Sequence, residues 1–167
     1  MRLLPLLLAA LPLVATAAPN PGERCKAREH HQFDFWIGDW DVFDGNGQRV
    51  GRNRIEPVLS GCALAEHWTD ASGSQGKSYN AFDARDRRWH QFWISEAGTS
   101  LSLSGGLAGN AMVLEGEQAD PKGGKPTRQR ITWTPNADGS VRQHWESSPD
   151  GEAWTTSFDG LYRLRKP

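Results

Sequence analysis

The sequence predicts an all-β chain folded as an up-and-down antiparallel β-barrel of about ten strands, entered through a short N-terminal helical turn. Three observations predict it. Short β-prone runs recur from Gly38 to the end at a spacing of about 8–12 residues. Gly-, Asn- and Asp-containing dipeptides separate the runs, and these residues tolerate the positive φ that tight hairpins need. No stretch sustains a 3.6-residue apolar period, so βαβ units are not expected. Short hairpins place each strand beside its neighbour in sequence, and closing the sheet removes exposed edges.

The chain opens with MRLLPLLLAALPLVATAAPNPG. Arg2, an apolar run from Leu3 to Val14 and the small residues Ala15-Thr16-Ala17 form the pattern of a cleavable export signal, with cleavage expected after Ala17. The apolar run is short and carries Pro5 and Pro12, so it is not expected to span a bilayer, and no other segment is apolar enough to do so. The expected organisation is a signal over 1–17, a lead-in over 18–29 and a single barrel domain over 30–167. A composition rich in Ala, Arg and Gly suits a bacterial protein, and the destination is then the periplasm or the medium.

Losing Arg2 takes Lys+Arg from 19 to 18 against 20 acids, a net charge of −2. That near balance argues against nucleic acid and against an acidic membrane surface as partners. The two cysteines, Cys25 and Cys62, are expected to form a disulfide in an oxidising compartment. No CxxC spacing supports a redox or metal role for them.

The lead-in ends in HHQFDFWIGDWDVF. Phe33, Trp36 and Ile37 stand at i, i+3 and i+4 ahead of Gly38, which suits a turn of helix; Phe33, Phe35 and Ile37 also alternate as a strand would. The strand runs follow: DWDVFD, QRVGRNRIEPVL, CALAEHWTD, KSYNAFD, RWHQFWIS, SLSLSG, AMVLEGEQ, RQRITWTP, SVRQHWESS and AWTTSFDGLYRLR.

Alternation assigns faces within several of these runs. Cys62, Leu64, Glu66 and Trp68 share one face, with His67 opposite. Trp89, Gln91 and Trp93 share another; His90, Phe92 and Ile94 oppose them and have their own claim on the interior. Val141, Gln143 and Trp145 oppose Arg142, His144 and Glu146. In the last run Trp154, Thr156, Phe158, Tyr162 and Leu164 oppose Asp159, Arg163 and Arg165.

If the Trp-bearing faces point inward, Glu66, Gln91 and Gln143 lie among tryptophans inside the barrel. Unpaired buried polar groups cost a few kcal/mol each, so these three need partners: one another, water, or a ligand. The candidate ligand-binding set is Glu66, Gln91 and Gln143 for orientation, with Trp68, Trp93, Trp133 and Trp145 for contact area. A core filled by side chains, as in many small barrels, is the alternative.

Other chemistry is less well supported. His67, His90 and His144 tend outward on separate strands, so neither a metal nor any other cofactor is expected. Ala71–Ser78 fits a loose phosphate-loop pattern, but YNAFD follows it as a strand where a helix is required. SSPDGEAW is similar to the Asp-box turn of sialidase-like propellers, though it is single and one residue short; a hairpin turn accounts for it. No GxSxG elbow is present, and Asp39 and Asp41 read as solvent-facing neighbours.

The stretches FDFWIGDWDV, GRNRIEPVLSGCALAEHW, RWHQFW, RITWTPNADGSVRQHWESSPDG and FDGLYR together resemble an exported bacterial family of unknown function, over most of the chain from Cys25 to Arg165. The resemblance implies a lipocalin-like barrel and no particular activity. Gly38-Asp39-Trp40 is also similar to the G-x-W that opens calycin barrels, where the Trp crosses the closed end, often under an Arg of the last strand; Arg163 or Arg165 is the counterpart here. Haem-binding barrels of similar shape use an inward histidine and glycines after that Trp, whereas this chain continues DVFDGNGQ.

The leading expectation is thus an exported barrel that binds a small lipophilic molecule. The alternatives are an enzyme of hydrolase or isomerase type using Glu66 at the barrel mouth, and an interaction protein whose outer face includes His90, Phe92 and Ile94. Nothing in the sequence sets an oligomeric state.

Overall fold

The computed structural model describes residues 25–166. The expected signal over 1–17 and its cleavage after Ala17 lie outside these residues. The described chain is a closed antiparallel barrel of ten strands, each paired with its neighbours in sequence and the first paired with the last. The strands are β1 (Gly38–Phe43), β2 (Arg49–Val58), β3 (Ala63–Asp70), β4 (Gln75–Asp83), β5 (Arg88–Ser95), β6 (Ser100–Ala108), β7 (Ala111–Gln118), β8 (Thr127–Pro135), β9 (Val141–Ser148) and β10 (Thr155–Leu164). Closure rests on β1 against β10, in the register Trp40 with Leu164 and Val42 with Tyr162. Among the described residues no helix is long and apolar enough to cross a membrane.

Aspartates build most of the hairpins. Asp44 Oδ1 accepts from the backbone N–H groups of Asn46 and Gln48, and Asp70 Oδ1 does the same for Ser72 and Ser74. Asp138 and Asp150 repeat the pattern toward Ser140 and toward Glu152 and Ala153. These bonds pin each reversal; the Ser72 and Ser140 hydroxyls, followed by backbone N–H groups, hold the Asp70 and Asp138 carboxyls below their ordinary range, and the Glu152 and Ala153 N–H groups do so for Asp150. The phosphate-loop-like segment is one of these turns, between β3 and β4. The β4–β5 reversal has no glycine to announce it and turns instead through Arg87 at φ 60°.

The helical turn ahead of the barrel is two short 3-10 segments, Arg28–His31 and Asp34–Trp36. They carry Phe33 and Trp36 into the end of the barrel where β1 begins. There Phe33 stacks on Trp36 at 4.9 Å and meets Trp89 and Trp133 edge-on. Trp40 donates its indole N–H to the Trp36 carbonyl at 2.9 Å, and Val42, Met112 and Leu114 complete the packing. Cys25 and Cys62 form a disulfide across 37 residues, tying the segment that precedes this plug to the entry of β3.

Two expectations need correcting. Neither Arg163 nor Arg165 covers Trp40: Arg163 lies over Phe43, and Arg165 pairs with Asp39 and Asp41 on the outer face. Tyr162 packs against Trp40 instead, as the buried β10 residue diagonal to it, two positions from its register partner Leu164. Alternation along the last run also fails. The β9–β10 register shifts between Thr156 and Phe158, so Phe158 and Tyr162 face inward while Thr156 bonds His144 outside. Trp154 precedes the strand and lies under the Arg130 guanidinium, and Leu164 is exposed. One extra residue reverses the faces of everything before it.

Candidate functional site

The interior is not filled. A cavity of about 220 Å³ opens at the end of the barrel opposite the plug. It is lined by Glu66, Trp68, Gln91, Trp93, Trp133, Gln143 and Trp145, the whole expected set, together with Leu101, Ile131, Ser157, Phe158 and Tyr162. Strand parity brings these residues to one interior. On β3, Leu64, Glu66 and Trp68 alternate inward, and on β5 Trp89, Gln91 and Trp93 do so, which leaves Phe92 and Ile94 exposed.

The mouth is aromatic. Trp68 meets Phe158 edge-to-face at 6.0 Å, and Trp93 meets Trp145 in the same way at 6.3 Å. Trp93 leans across a glycine on the neighbouring strand: a Cβ on Gly76 would lie 2.9 Å from its ring. Trp145 is tethered by its indole N–H, which donates to Gln129 Oε1 at 2.7 Å.

Behind the rings runs a continuous polar chain. Gln91 donates to Asn80 Oδ1 at 2.8 Å, Asn80 to Ser78 Oγ at 2.9 Å, and Ser78 to Glu66 Oε2 at 2.6 Å. On the other side Asn53 donates to Glu66 Oε1 at 2.7 Å and to the Tyr162 hydroxyl at 3.3 Å, and Tyr162 donates to Gln143 Oε1. Glu66 is therefore the acceptor on which both arms converge. Burial pushes its carboxyl upward, against the pull of the Ser78 and Asn53 bonds. The Tyr162 hydroxyl is raised well above its ordinary 10, chiefly by burial and next by the Glu66 charge. The chain supplies both Glu66 oxygens with donors without a ligand, yet Asn53 Oδ1 and the Trp133 indole N–H are buried without partners, and the chain's ends, Gln91 and Gln143, line the cavity.

Sequence reasoning missed Asn53, Ser78, Asn80 and Tyr162 as site residues, the links that join the three polar residues it found. A signal was present. Arg52 and Arg54 flank Asn53, and Lys77 and Tyr79 flank Ser78; both pairs are exposed, which turns the residues between them inward. Aromatic content was the stronger cue but misleads on β4, whose Tyr79 points outward.

The three strand histidines stay outside: His67 bonds Glu56, His90 bonds Asp86, and His144 contacts Thr156 and Glu146. Among the described residues no cluster of His, Cys, Asp and Glu has the geometry to hold a metal. Compared with models of known protein families and with curated protein sequences, the chain matches none.

Proposed function

We propose that this protein is an exported, lipocalin-like barrel that binds a small, partly apolar molecule in its Trp-lined cavity. Trp68, Trp93, Trp133 and Trp145 supply contact area, and Glu66, Gln91 and Gln143 orient the ligand. The observation that carries this reading is the combination of an open, mostly aromatic cavity with a single organised polar wall, the usual composition of a ligand site. At about 220 Å³ the cavity is smaller than the roughly 300–1,000 Å³ of sites for drug-sized ligands, so the ligand is small. The Cys25–Cys62 disulfide and the signal-like N-terminus support a periplasmic or secreted setting.

Native mass spectrometry of protein recovered from periplasm is the direct test. A co-purifying mass adduct, lost when Trp93 and Trp145 are both replaced by Ala, is expected. A bare protein mass, with no quenching of Trp fluorescence across a panel of small lipophilic compounds, overturns the reading.

A second reading rests on Glu66 itself. A buried carboxyl pushed upward at a cavity is suited to proton transfer, as a hydrolase or isomerase needs. It requires that Glu66→Gln abolish whatever turnover an activity screen reveals. Turnover that survives the substitution removes Glu66 from the chemistry.

A further inference from the structure

The cavity holds an acid and no base. Of the side chains lining it, Glu66 alone is a carboxyl, pushed above its ordinary range by burial; the rest are aromatic, aliphatic, amide or hydroxyl groups. Among the described residues no arginine, lysine or histidine lines the cavity to pair with Glu66 when it ionises. Both Glu66 oxygens accept from neutral donors, Asn53 and Ser78, and each carboxylate oxygen keeps a further lone-pair site. Six aromatic side chains share the same space: Trp68, Trp93, Trp133, Trp145, Phe158 and Tyr162. Ring faces carry the negative end of an aromatic quadrupole and attract cations within about 6 Å. A carboxylate and ring faces lining one narrow space act in the same direction, and both repel an anion.

We propose that the cavity selects a small organic cation, an ammonium bearing a few carbon substituents, set between the Glu66 carboxylate and the aromatic rings. This deepens the binding reading and rests on it. The apolar substituents fill the Trp-lined space and the cationic centre supplies the counter-charge that the polar wall lacks. Fatty acids and other carboxylates, frequent occupants of barrels, are excluded by the same field.

Linkage then sets a pH dependence. Around Glu66 stand Asn53 and Ile55 from β2, Ser78 from β4 and Tyr162 from β10, with Gln91 and Gln143 across the cavity. Tyr162 is the other titratable group of the lining, and it stays neutral up to alkaline pH. A bound cation favours ionised Glu66, so binding releases a proton wherever the free protein holds Glu66 protonated. Affinity for the cation therefore rises with pH and levels off above the free-protein pKa of Glu66, by up to about tenfold per pH unit on the rising limb.

The test uses three probes of one shape on the disulfide-bonded protein: choline, its neutral isostere 3,3-dimethyl-1-butanol, and the anion 3,3-dimethylbutyrate. Binding is read by Trp fluorescence and by calorimetry between pH 5 and 9. Choline is expected to bind at least tenfold more tightly than the alcohol at pH 8, with the ratio falling at acid pH and dropping toward one in Glu66→Gln. The pH profile of the unsubstituted protein keeps the test independent of that variant's folding. Equal affinity for choline and the alcohol, or preference for the anion, overturns the cation inference and leaves small-molecule binding standing. Absence of choline binding at millimolar concentration overturns it too, and the mass spectrometry above then decides whether binding itself survives.

Discussion

The two ends of this barrel use the same residue types to opposite effect. At the plugged end Trp36, Trp40 and Trp89 are each at most 1% exposed, with Phe33 packed on Trp36 and Trp89, and the equally buried Trp133 touches the plug on one side and floors the cavity on the other. At the mouth Trp68, Trp93, Trp145 and Phe158 are half-buried and border open space. The strands do not account for the difference, since aromatic residues point inward at both ends. The difference comes from the segment before β1, which inserts Phe33 and Trp36 at one end and has no equivalent at the other among the described residues. Tryptophan is a sealing residue where a plug completes its contacts and a recognition surface where none does.

The plugged end is the place to break this contrast most forcefully. Trp36→Ala removes a fully buried ring stacked on Phe33 and is expected to cost about 3–5 kcal/mol in urea unfolding. The matching change at the mouth, Trp68→Ala, removes a ring already part-solvated and is expected to cost about 1–2 kcal/mol. Similar costs at the two ends would erase the distinction.

Reducing the disulfide, or replacing Cys25 and Cys62 together by Ser, is expected to cost about 4 kcal/mol on the chain-entropy account of a loop of this length. Because the bond lies just before the plug, amide exchange should quicken first at Phe33–Trp36 and last at the mouth. Exchange quickening uniformly around the barrel would show that the disulfide stabilises the fold without serving the plug in particular.

Smaller effects sharpen the mouth. Gly76→Ala places a methyl group 2.9 Å from the Trp93 ring, which borders open space and is free to move. The expected result is a stability change under about 1 kcal/mol with a clear shift in Trp emission and in acrylamide quenching. Unchanged emission would mean that the ring does not rest on this glycine.

The smallest change is a pH effect. The native fold raises the Glu66 carboxyl above its ordinary 4.5, so the folded state holds the proton more tightly than the unfolded chain does. The stability this contributes is complete below the ordinary value and is lost as pH rises through the raised one. The melting temperature of the native protein should therefore fall relative to that of Glu66→Gln as pH rises from 4.5 toward neutrality. A constant difference across that range would show that Glu66 titrates alike folded and unfolded.

Strand order, most hairpin positions and the residues that share a face on β3, β5 and β9 were legible in the sequence, because a period of two is a local property; which face of β5 points inward was not. The helical turn and the cysteine pair were legible for similar reasons, one from spacing and the other from compartment. What could not be read locally is illustrated by Ser157. An extra residue on β10 reverses alternation, so Trp154 and Thr156 face outward although simple parity sends them in. Arg163 and Arg165 show the same limit, since their outward bonds with Phe43, Asp39 and Asp41 depend on the register of closure.

By itself the sequence determined which residues of an unbulged strand share a face, because side chains alternate on a pleated strand whatever surrounds it. Only the tertiary structure decided which face is inside and how far along the barrel each residue sits. Closure brings Asn53, Ser78 and Tyr162, from three different strands, within hydrogen-bonding reach of one another or of Glu66. The plug then fills one end and leaves the other open. Depth along the axis depends on register and shear summed around ten strands, a non-local quantity that no single run carries.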